Sequence, residues 1–363
     1  MTKGKVAVAL SGGADSSAAA LLLKESAYEV VGIHMCLWDS PSCDYQAHRA
    51  GTICCLLDIP YHQVDLQKEF ELSVVDYFCQ EYRQGRTPNP CVACNQHVKF
   101  GLLLDKALSL GANYVATGHY ARVEHSGDGY RLLKAADTGR DQSYFLYTLT
   151  QEKLGHILFP LGEYGRDAVK QMAEQASLLT ATRSSQDICF ISQRNYGSFL
   201  SQRFSTLPGD IIDTRGRKLG QHRGIAFYTI GQRHGLGLAS DKPLYVIRIE
   251  PESNKIVVGH KKELYSRKLV AQKLNWISGK TPREPITVTA KIRYKSKEAE
   301  AIVFPRNDSV DVHFAQPQKA VTPGQTIVFY NAGEVLGGGI IESSQPPTQG
   351  NERESFVSVS QPR

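Results

Sequence analysis

The nine residues Ala9-Leu-Ser-Gly-Gly-Ala-Asp-Ser-Ser17 constrain this chain more than any other stretch. They close the short apolar run Lys5–Leu10 and lead into an alanine- and leucine-rich segment. That pattern predicts a buried strand, a tight glycine turn and a helix start. Gly12 and Gly13 permit the positive φ that a Cβ would obstruct. Such a turn leaves backbone N–H groups and a helix N-terminus facing whatever anion sits in it. Ser11, Ser16 and Ser17 add hydroxyls, and Asp15 is placed to cap the helix or to orient Mg²⁺ on a phosphate. The run lacks both the Gly-Lys-Ser/Thr of a Walker A loop and the GxGxxG of a dinucleotide turn. A lone Ser-Gly-Gly would fit an ordinary turn before a surface helix. The full run behind a strand predicts a nucleotide phosphate site.

Residues 5–10, 28–34, 61–66 and 113–117 read as short apolar strands, separated by helical patterns at 17–26 and 47–57. This alternation predicts an α/β domain with a doubly wound parallel sheet. Ligands on such sheets bind beyond the C-terminal strand ends, where the opening loop lies. Met35, closing the second strand, either packs in the core or lies against an adenine. After Thr206 the chain breaks into glycine-punctuated β units at 207–216 and 220–237, a small central β domain. From about Leu269 strands are expected at 286–294, 298–304, 309–314, 325–330 and 335–341, forming a C-terminal antiparallel β-barrel. At 363 residues the chain exceeds one core. The expected divisions are 1–205, 206–268, 269–345 and a polar, disordered tail at 346–363.

A hydrophobic share of 41% with 21% charged residues is that of an ordinary globular chain. The formal charge of +6 favours a polyanionic partner without proving one. No stretch nears the roughly 20 apolar residues of a membrane span, and no signal-peptide core precedes Leu10. A cytoplasmic protein without membrane partners is expected, its eight cysteines reduced unless catalytic or metal-bound. Cys91 and Cys94 form a CxxC within Gly85–Gly101. Pro88 and Pro90 hold the chain extended there and predict a helix start near Cys94. Thiols at a helix N-terminus, with Lys99 and Arg86 nearby, should have lowered pKa values. A zinc ribbon would need a second CxxC pair, which the chain lacks. Inert structural cysteines and a reactive or cluster-ligating site remain. Cys189 adds a third thiol: a disulfide partner, sulfur carrier, third cluster ligand or small buried hydrophobe.

His119, in Thr117-Gly-His-Tyr-Ala121, follows a strand and is either structural or a ligand contact. Arg140 and Gln142 are donors suited to phosphate or base edges, and Asp141–Tyr147 reads as a polar-then-aromatic entry to a helix. The segment Lys291–Lys297 reads as a strand with cations beside an aromatic, as on RNA-binding surfaces, or as a plain solvated strand.

SGGADSS resembles the pyrophosphate loop of ATP pyrophosphatases, which adenylate an oxygen and release pyrophosphate. Together with RTPNPCVACNQHVKFG, TGHYA, RDQSYFLY, DICFI, FYTIGQRHGLG, AKIRYKS, AVTPGQTIVFY and LGGG, in that order, it is similar to the tRNA-specific 2-thiouridylases. The likeness covers the chain except its tail. It implies an adenine nucleotide alpha-hydrolase-like catalytic domain, a central β domain and a tRNA-contacting barrel. The implied reaction is ATP- and Mg²⁺-dependent adenylation of the C2 oxygen of the wobble uridine (U34). Sulfur transfer to that carbon then releases AMP. The implied partners are tRNAs of the Lys, Glu and Gln type and a sulfur-donor protein of a persulfide relay.

Residue by residue, the resemblance makes Cys94 the nucleophile and Cys189 the persulfide carrier, a pair able to form a disulfide as sulfur leaves. Ala9, Leu10, Ser11, Gly12, Gly13, Ala14, Asp15, Ser16, Met35 and Gly118 match ATP contacts. Asn89, Pro90 and Cys91 match the segment facing the target base. His119, Arg140, Asp141, Gln142, Arg293, Tyr294 and Gln325 match tRNA contacts. Three positions depart from the family's pattern: Cys91 stands where many members carry Asp, His234 where Lys or Arg is common, and Ala14 where Val is usual. Cys91, Cys94 and Cys189 are together the set that would hold a [4Fe–4S] cluster with one open iron, an alternative to the persulfide. Two rivals share the loop or the fold: a synthetase or amidotransferase adenylating a small molecule, and a non-catalytic tRNA-binding or sulfur-carrier protein.

Overall fold

A computed structural model describes residues 2–39, 41–178, 188–191 and 195–345. The expected tail and Ser184–Asp187 ahead of Cys189 lie outside the described residues. The N-terminal strands are β1 (Lys5–Ala9), β2 (Glu29–Cys36), β3 (Tyr61–Asp65), β4 (Tyr114–Ala116), a hairpin of β5 (Ala121–Ser126) and β6 (Gly129–Lys134), and β7 (Ile157–Leu158). Five of them form a parallel sheet in the order β3-β2-β1-β4-β7. Val6, Ala7 and Val8 are all but fully buried, as expected where helices cover both faces. The order reverses at β1, whose neighbours are β2 and β4. The crevice of a doubly wound sheet therefore opens at the C-terminal end of β1, beside Leu10–Gly13.

The first helix runs Ala14–Glu25, three residues ahead of the periodicity, because extended Gly13 is its N-cap. The second spans Pro41–Leu56. After the cysteine loop the chain turns helical at Pro90, not near Cys94 as expected. Proline is tolerated at the first helical position, where its missing N–H would have had no partner. Pro90–Ala93 continues as a π-helical stretch, Cys94–Leu102, and then as Leu103–Ser109.

The central sheet has β8 (Gly209–Asp213), β9 (Lys218–His222), β10 (Tyr245–Glu250) and β11 (Lys255–Gly259), in the order β10-β11-β8-β9. The expected β unit at 220–237 ends at His222, and Ile225–Phe227 is a 3₁₀ turn. The barrel is β12 (Tyr265–Trp276), β13 (Ile286–Lys291), β14 (Ala299–Pro305), β15 (Ser309–Lys319), β16 (Thr326–Asn331) and β17 (Glu334–Gln345). Pairing of β12 with β17 closes it around Ala271, Val303, Val312, Phe314 and Phe329. It begins at Tyr265, before the expected Leu269. Strand β13 stops at Lys291, so Arg293 and Tyr294 lie in a turn rather than on the expected strand.

The hairpin β5–β6 went unforeseen, and it joins the barrel. Leu132 and Leu133 pair with Val335 and Glu334 of β17. One apolar cluster accordingly takes Val92 and Phe100 from the cysteine helix, Leu132, Tyr144 and Tyr147, and Val328, Tyr330 and Val335 from the barrel. The N-terminal α/β part and the barrel share a core.

Candidate active site

The phosphate loop is held by its own residues. Gly12 has φ +71°, and a Cβ there would stand 3.0 Å from the Arg49 stem and 3.1 Å from the Gln46 carbonyl. Ser16 and Ser17 hydroxyls donate to the Gly13 carbonyl at 3.1 and 2.8 Å, and the Ser11 amide donates to the Ser16 hydroxyl at 3.2 Å. No side chain caps the first helix, which leaves its N-terminal amides to a ligand. Asp15 does not cap, contrary to one expectation. Its Oδ1 accepts the Tyr120 hydroxyl at 2.9 Å, and burial beside Asp15 pushes that phenol well up, so it stays a donor. Ala9 and Leu10 end the strand behind the loop, and Ala14 opens the helix. Buried Arg49 packs its stem against Gly12, while its guanidinium lies on the Tyr45 ring and hydroxyl. Sequence patterning carried no signal for it, whereas Tyr120 lay within a quoted motif. A single carboxylate beside a phosphate cradle suits Mg²⁺ arriving on a nucleotide, with Asp15 to hold it.

The turn Thr117–Tyr120 joins this loop to the thiols. A Cβ on Gly118 would lie 2.8 Å from the Asp15 carbonyl carbon and 2.9 Å from the Ser16 nitrogen, so two backbones touch there. The next residue, His119, bonds Thr117 Oγ1 through Nδ1 at 2.7 Å and packs between Phe100 and Phe159. Burial, reinforced by the Lys99 charge, holds its pKa well below the usual value. His119 is therefore neutral at pH 7. Lys99 also acts on Cys91, Cys94 and Cys189, and the thiols act on one another. These four side chains form one electrostatic group.

The expectation of low-pKa thiols is overturned. Burial pushes Cys91 up to about 11 and Cys189 up to about 12, and raises Cys94 as well. Lys99 pulls all three down but loses to desolvation. Arg86 does not reach them, since its guanidinium holds Glu81 and Glu342, each at 2.8 Å. Cys94 is buried, while Cys91 and Cys189 keep a solvent-exposed side and are still desolvated by the protein around them. The helix N-terminus lies nearest Cys91, and Cys94 sits a turn further on.

The barrel grips the cysteine loop from outside. Thr87 N–H donates to the Pro323 carbonyl at 2.9 Å. Gln325 Nε2 donates to the Thr87 and Pro88 carbonyls at 2.8 and 3.3 Å. Gly324, at φ +87°, comes so close that a Cβ would meet Thr87 N at 2.8 Å. Tyr144 bonds the Thr326 carbonyl and the Asn89 side chain. Gln325, matched to a tRNA contact, thus spends its amide on the cysteine loop.

The other matched tRNA positions fall into two kinds. Asp141 is buried, and its carboxylate accepts the Ala135 and Ser143 amides and the Ser143 hydroxyl, which makes it a structural knot. Gln142 Oε1 accepts the Tyr120 amide. The expected helix at 141–147 is a 3₁₀ turn, Ser143–Leu146. Half-buried Arg140 lies close enough to Tyr294 to act on its phenol, and Tyr294 packs on Phe145 with ring centroids 4.4 Å apart. Exposed Arg293 donates to the Lys319 carbonyl. Arg140 and Tyr294 are neighbours, though one comes from the N-terminal part of the chain and the other from the barrel. Half-buried Met35 packs with Ile33, Val115 and Val64 beside β1.

A parallel sheet with an uncapped phosphate loop at its switch point, beside three thiols, defines a nucleotide-dependent enzyme with sulfur chemistry. The family model for the tRNA methyl transferase HUP domain matches residues 4–193, that for the tRNA methyl transferase PRC-barrel domain 197–260, and that for the Aminomethyltransferase beta-barrel domain 266–341. The tRNA-specific 2-thiouridylase MnmA 1 of Caldanaerobacter subterraneus subsp. tengcongensis is 48% identical, over 93% of this chain and 98% of its own length. The tRNA-specific 2-thiouridylases MnmA of Acetivibrio thermocellus and Clostridium perfringens are 46% and 43% identical, each over 94% of this chain and 100% and 99% of their own. The chain belongs to the tRNA-specific 2-thiouridylase family. A small-molecule adenylating enzyme finds no support among these relatives. Among solved structures, the U34-tRNA thiolase NcsA from Methanococcus maripaludis with its [4Fe-4S] cluster is similar at TM-score 0.36 and 20% identity, over 56% of this chain and 64% of that one. That likeness is too slight to argue from. Among the described residues, no helix is long and apolar enough to cross a membrane.

Proposed function

We propose that this chain uses Mg²⁺-ATP to replace the C2 oxygen of the wobble uridine of tRNA with sulfur. One observation carries the reading: a single turn has Gly118 against the phosphate loop and His119 beside the Lys99–thiol group. The C2 oxygen attacks the α-phosphorus and pyrophosphate leaves, which turns a poor leaving group into AMP. Gly12, Gly13 and the uncapped helix amides hold the phosphates, Asp15 orients the ion, and Met35 lies toward the adenine. The terminal sulfur of a Cys189 persulfide, loaded by a donor protein, then attacks C2 and AMP departs. Cys94 attacks Cys189 Sγ and breaks the S–S bond. This frees 2-thiouridine and leaves a Cys94–Cys189 disulfide, which an external thiol reduces with two electrons. Asn89, Pro90 and Cys91 face the unstacked base. Arg140, Arg293 and Tyr294 meet the anticodon arm, the basic face expected to hold a single-stranded loop. The N-terminal α/β unit, the central sheet and the barrel that starts at Tyr265 divide the work into chemistry, linkage and RNA binding.

A second reading rests on Cys91, a thiol where many members carry Asp. Cys91, Cys94 and Cys189 supply the donors of a [4Fe–4S] cluster, which when bound would offer an open iron for hydrosulfide. The test combines purified chain, ATP, a persulfide donor and unmodified tRNA, with 2-thiouridine read by mass spectrometry. tRNA-dependent AMP formation matched by 2-thiouridine supports the proposal. AMP formation that ignores tRNA would sink it. Iron and sulfide assayed on protein isolated without oxygen decide between the readings: about four irons, lost on Cys91→Ser, would replace the persulfide.

A further inference from the structure

A second thiol group lies at the end of β2, with no part in the chemistry above. A ring nitrogen of His34 and the sulfurs of Cys36 and Cys43 lie within 4.8 Å of one another. His34 and Cys36 are alternate residues of β2 and share a face, while Cys43 comes from the first turn of the helix Pro41–Leu56. His34 is 2% exposed. Its Nδ1 lies 2.8 Å from the Leu10 carbonyl, which can only accept, so Nδ1 carries the proton. That leaves Nε2 as a bare lone pair, buried and with no hydrogen-bond partner. A neutral imidazole with one nitrogen donating to a backbone carbonyl and the other free is the tautomer of a metal ligand.

The sulfurs are furnished in the same way. Gln63 Nε2 donates to Cys36 Sγ at 2.9 Å, from the β3 position opposite His34. Burial and the neighbouring Cys36 raise the Cys43 thiol, and against them the backbone amides of Trp38 and Leu37 donate to its sulfur. Such N–H···S bonds favour thiolates, as the outer shell of a thiolate–metal site does. Two thiolates this close would repel one another without a cation. With a divalent ion, two thiolates and a neutral imidazole make a group of zero net charge, which burial tolerates.

We propose that His34, Cys36 and Cys43 bind one Zn²⁺-like cation. Two sulfurs and one imidazole suit zinc, and three protein ligands leave a fourth position for water. Binding expels the protons of both thiols, so two protons leave for each ion bound. The ion would pin the end of β2 to the start of the second helix, next to Met35.

The test uses Co²⁺ as a spectroscopic probe under reducing conditions, on the full chain carrying Cys91→Ser, Cys94→Ser and Cys189→Ser so that those thiols cannot contribute. One equivalent should bind with a sulfur-to-cobalt charge-transfer band and the strong visible bands of a tetrahedral site, and Zn²⁺ should displace it. Adding Cys43→Ser should weaken binding at least about tenfold and lower the charge-transfer intensity. His34→Gln should weaken binding and keep that band. Far-UV circular dichroism checks each fold, and should Cys43→Ser misfold, His34→Gln carries the test. A parent that binds no Co²⁺, or binding that neither substitution weakens, overturns the site.

Discussion

The phosphate loop and the cysteine loop are joined by the turn that carries Gly118 and His119, yet they are built in opposite ways. Ser11, Gly13, Ser16 and Ser17 bond among themselves, so a short segment after a strand supplies much of its own geometry. The cysteine loop is shaped from far away. Its carbonyls are held by Gln325, its Arg86 by Glu342 and its Asn89 by Tyr144. Nucleotide binding should therefore survive damage to the barrel, and sulfur transfer should not.

Four substitutions can break or sharpen that contrast. Cys94→Ser should abolish 2-thiouridine formation, followed by mass spectrometry, with ATP binding intact. Gly118→Ala comes next, because its Cβ would meet the Asp15–Ser16 backbone inside 3 Å. A displacement of about 1 Å costs about a hundredfold, so AMP formation should fall by that order while thiol alkylation stays normal. Gln325→Ala removes two hydrogen bonds from the loop carbonyls, worth about 1 kcal/mol each. Sulfur transfer should slow up to roughly thirtyfold with the KM for ATP unchanged, and an equal loss in both would refute the contrast. Lys99→Met is the subtlest. Lys99 pulls the thiols down, so without it their pKa values rise further. Iodoacetamide labelling of Cys91 and Cys189 should then slow by a few-fold at pH 8 and recover as pH rises. Glu342→Ala offers a control. The Arg86–Glu342 pair is partly exposed and worth under about 1 kcal/mol, so Tm should barely move.

The thiols show where a local reading of the chain misleads. CxxC near a helix start beside Lys99 and Arg86 reads as an activated pair when only neighbours in sequence are counted. In the fold, Phe190 and Ile191 pack with Cys94, Val98 and Ala93, and Arg86 is drawn off to two carboxylates. Desolvation then outweighs the one remaining cation. The His34–Cys36–Cys43 group was equally illegible, since the strand β2 and the helix after it must pack before its atoms meet.

By itself the sequence determined the strand–loop–helix unit, the parallel sheet with its loop at the C-terminal edge, the β-rich second half and the family. Each rests on periodicity and on glycine or proline positions, which act within a few residues. Tertiary structure alone decided the start of the helix at Pro90, the hairpin joined to the barrel, the neutral His119, the raised thiols and the hold of Gln325 on the Thr87 and Pro88 carbonyls. Those depend on which distant groups exclude water from one another, and burial is a property of the assembled core.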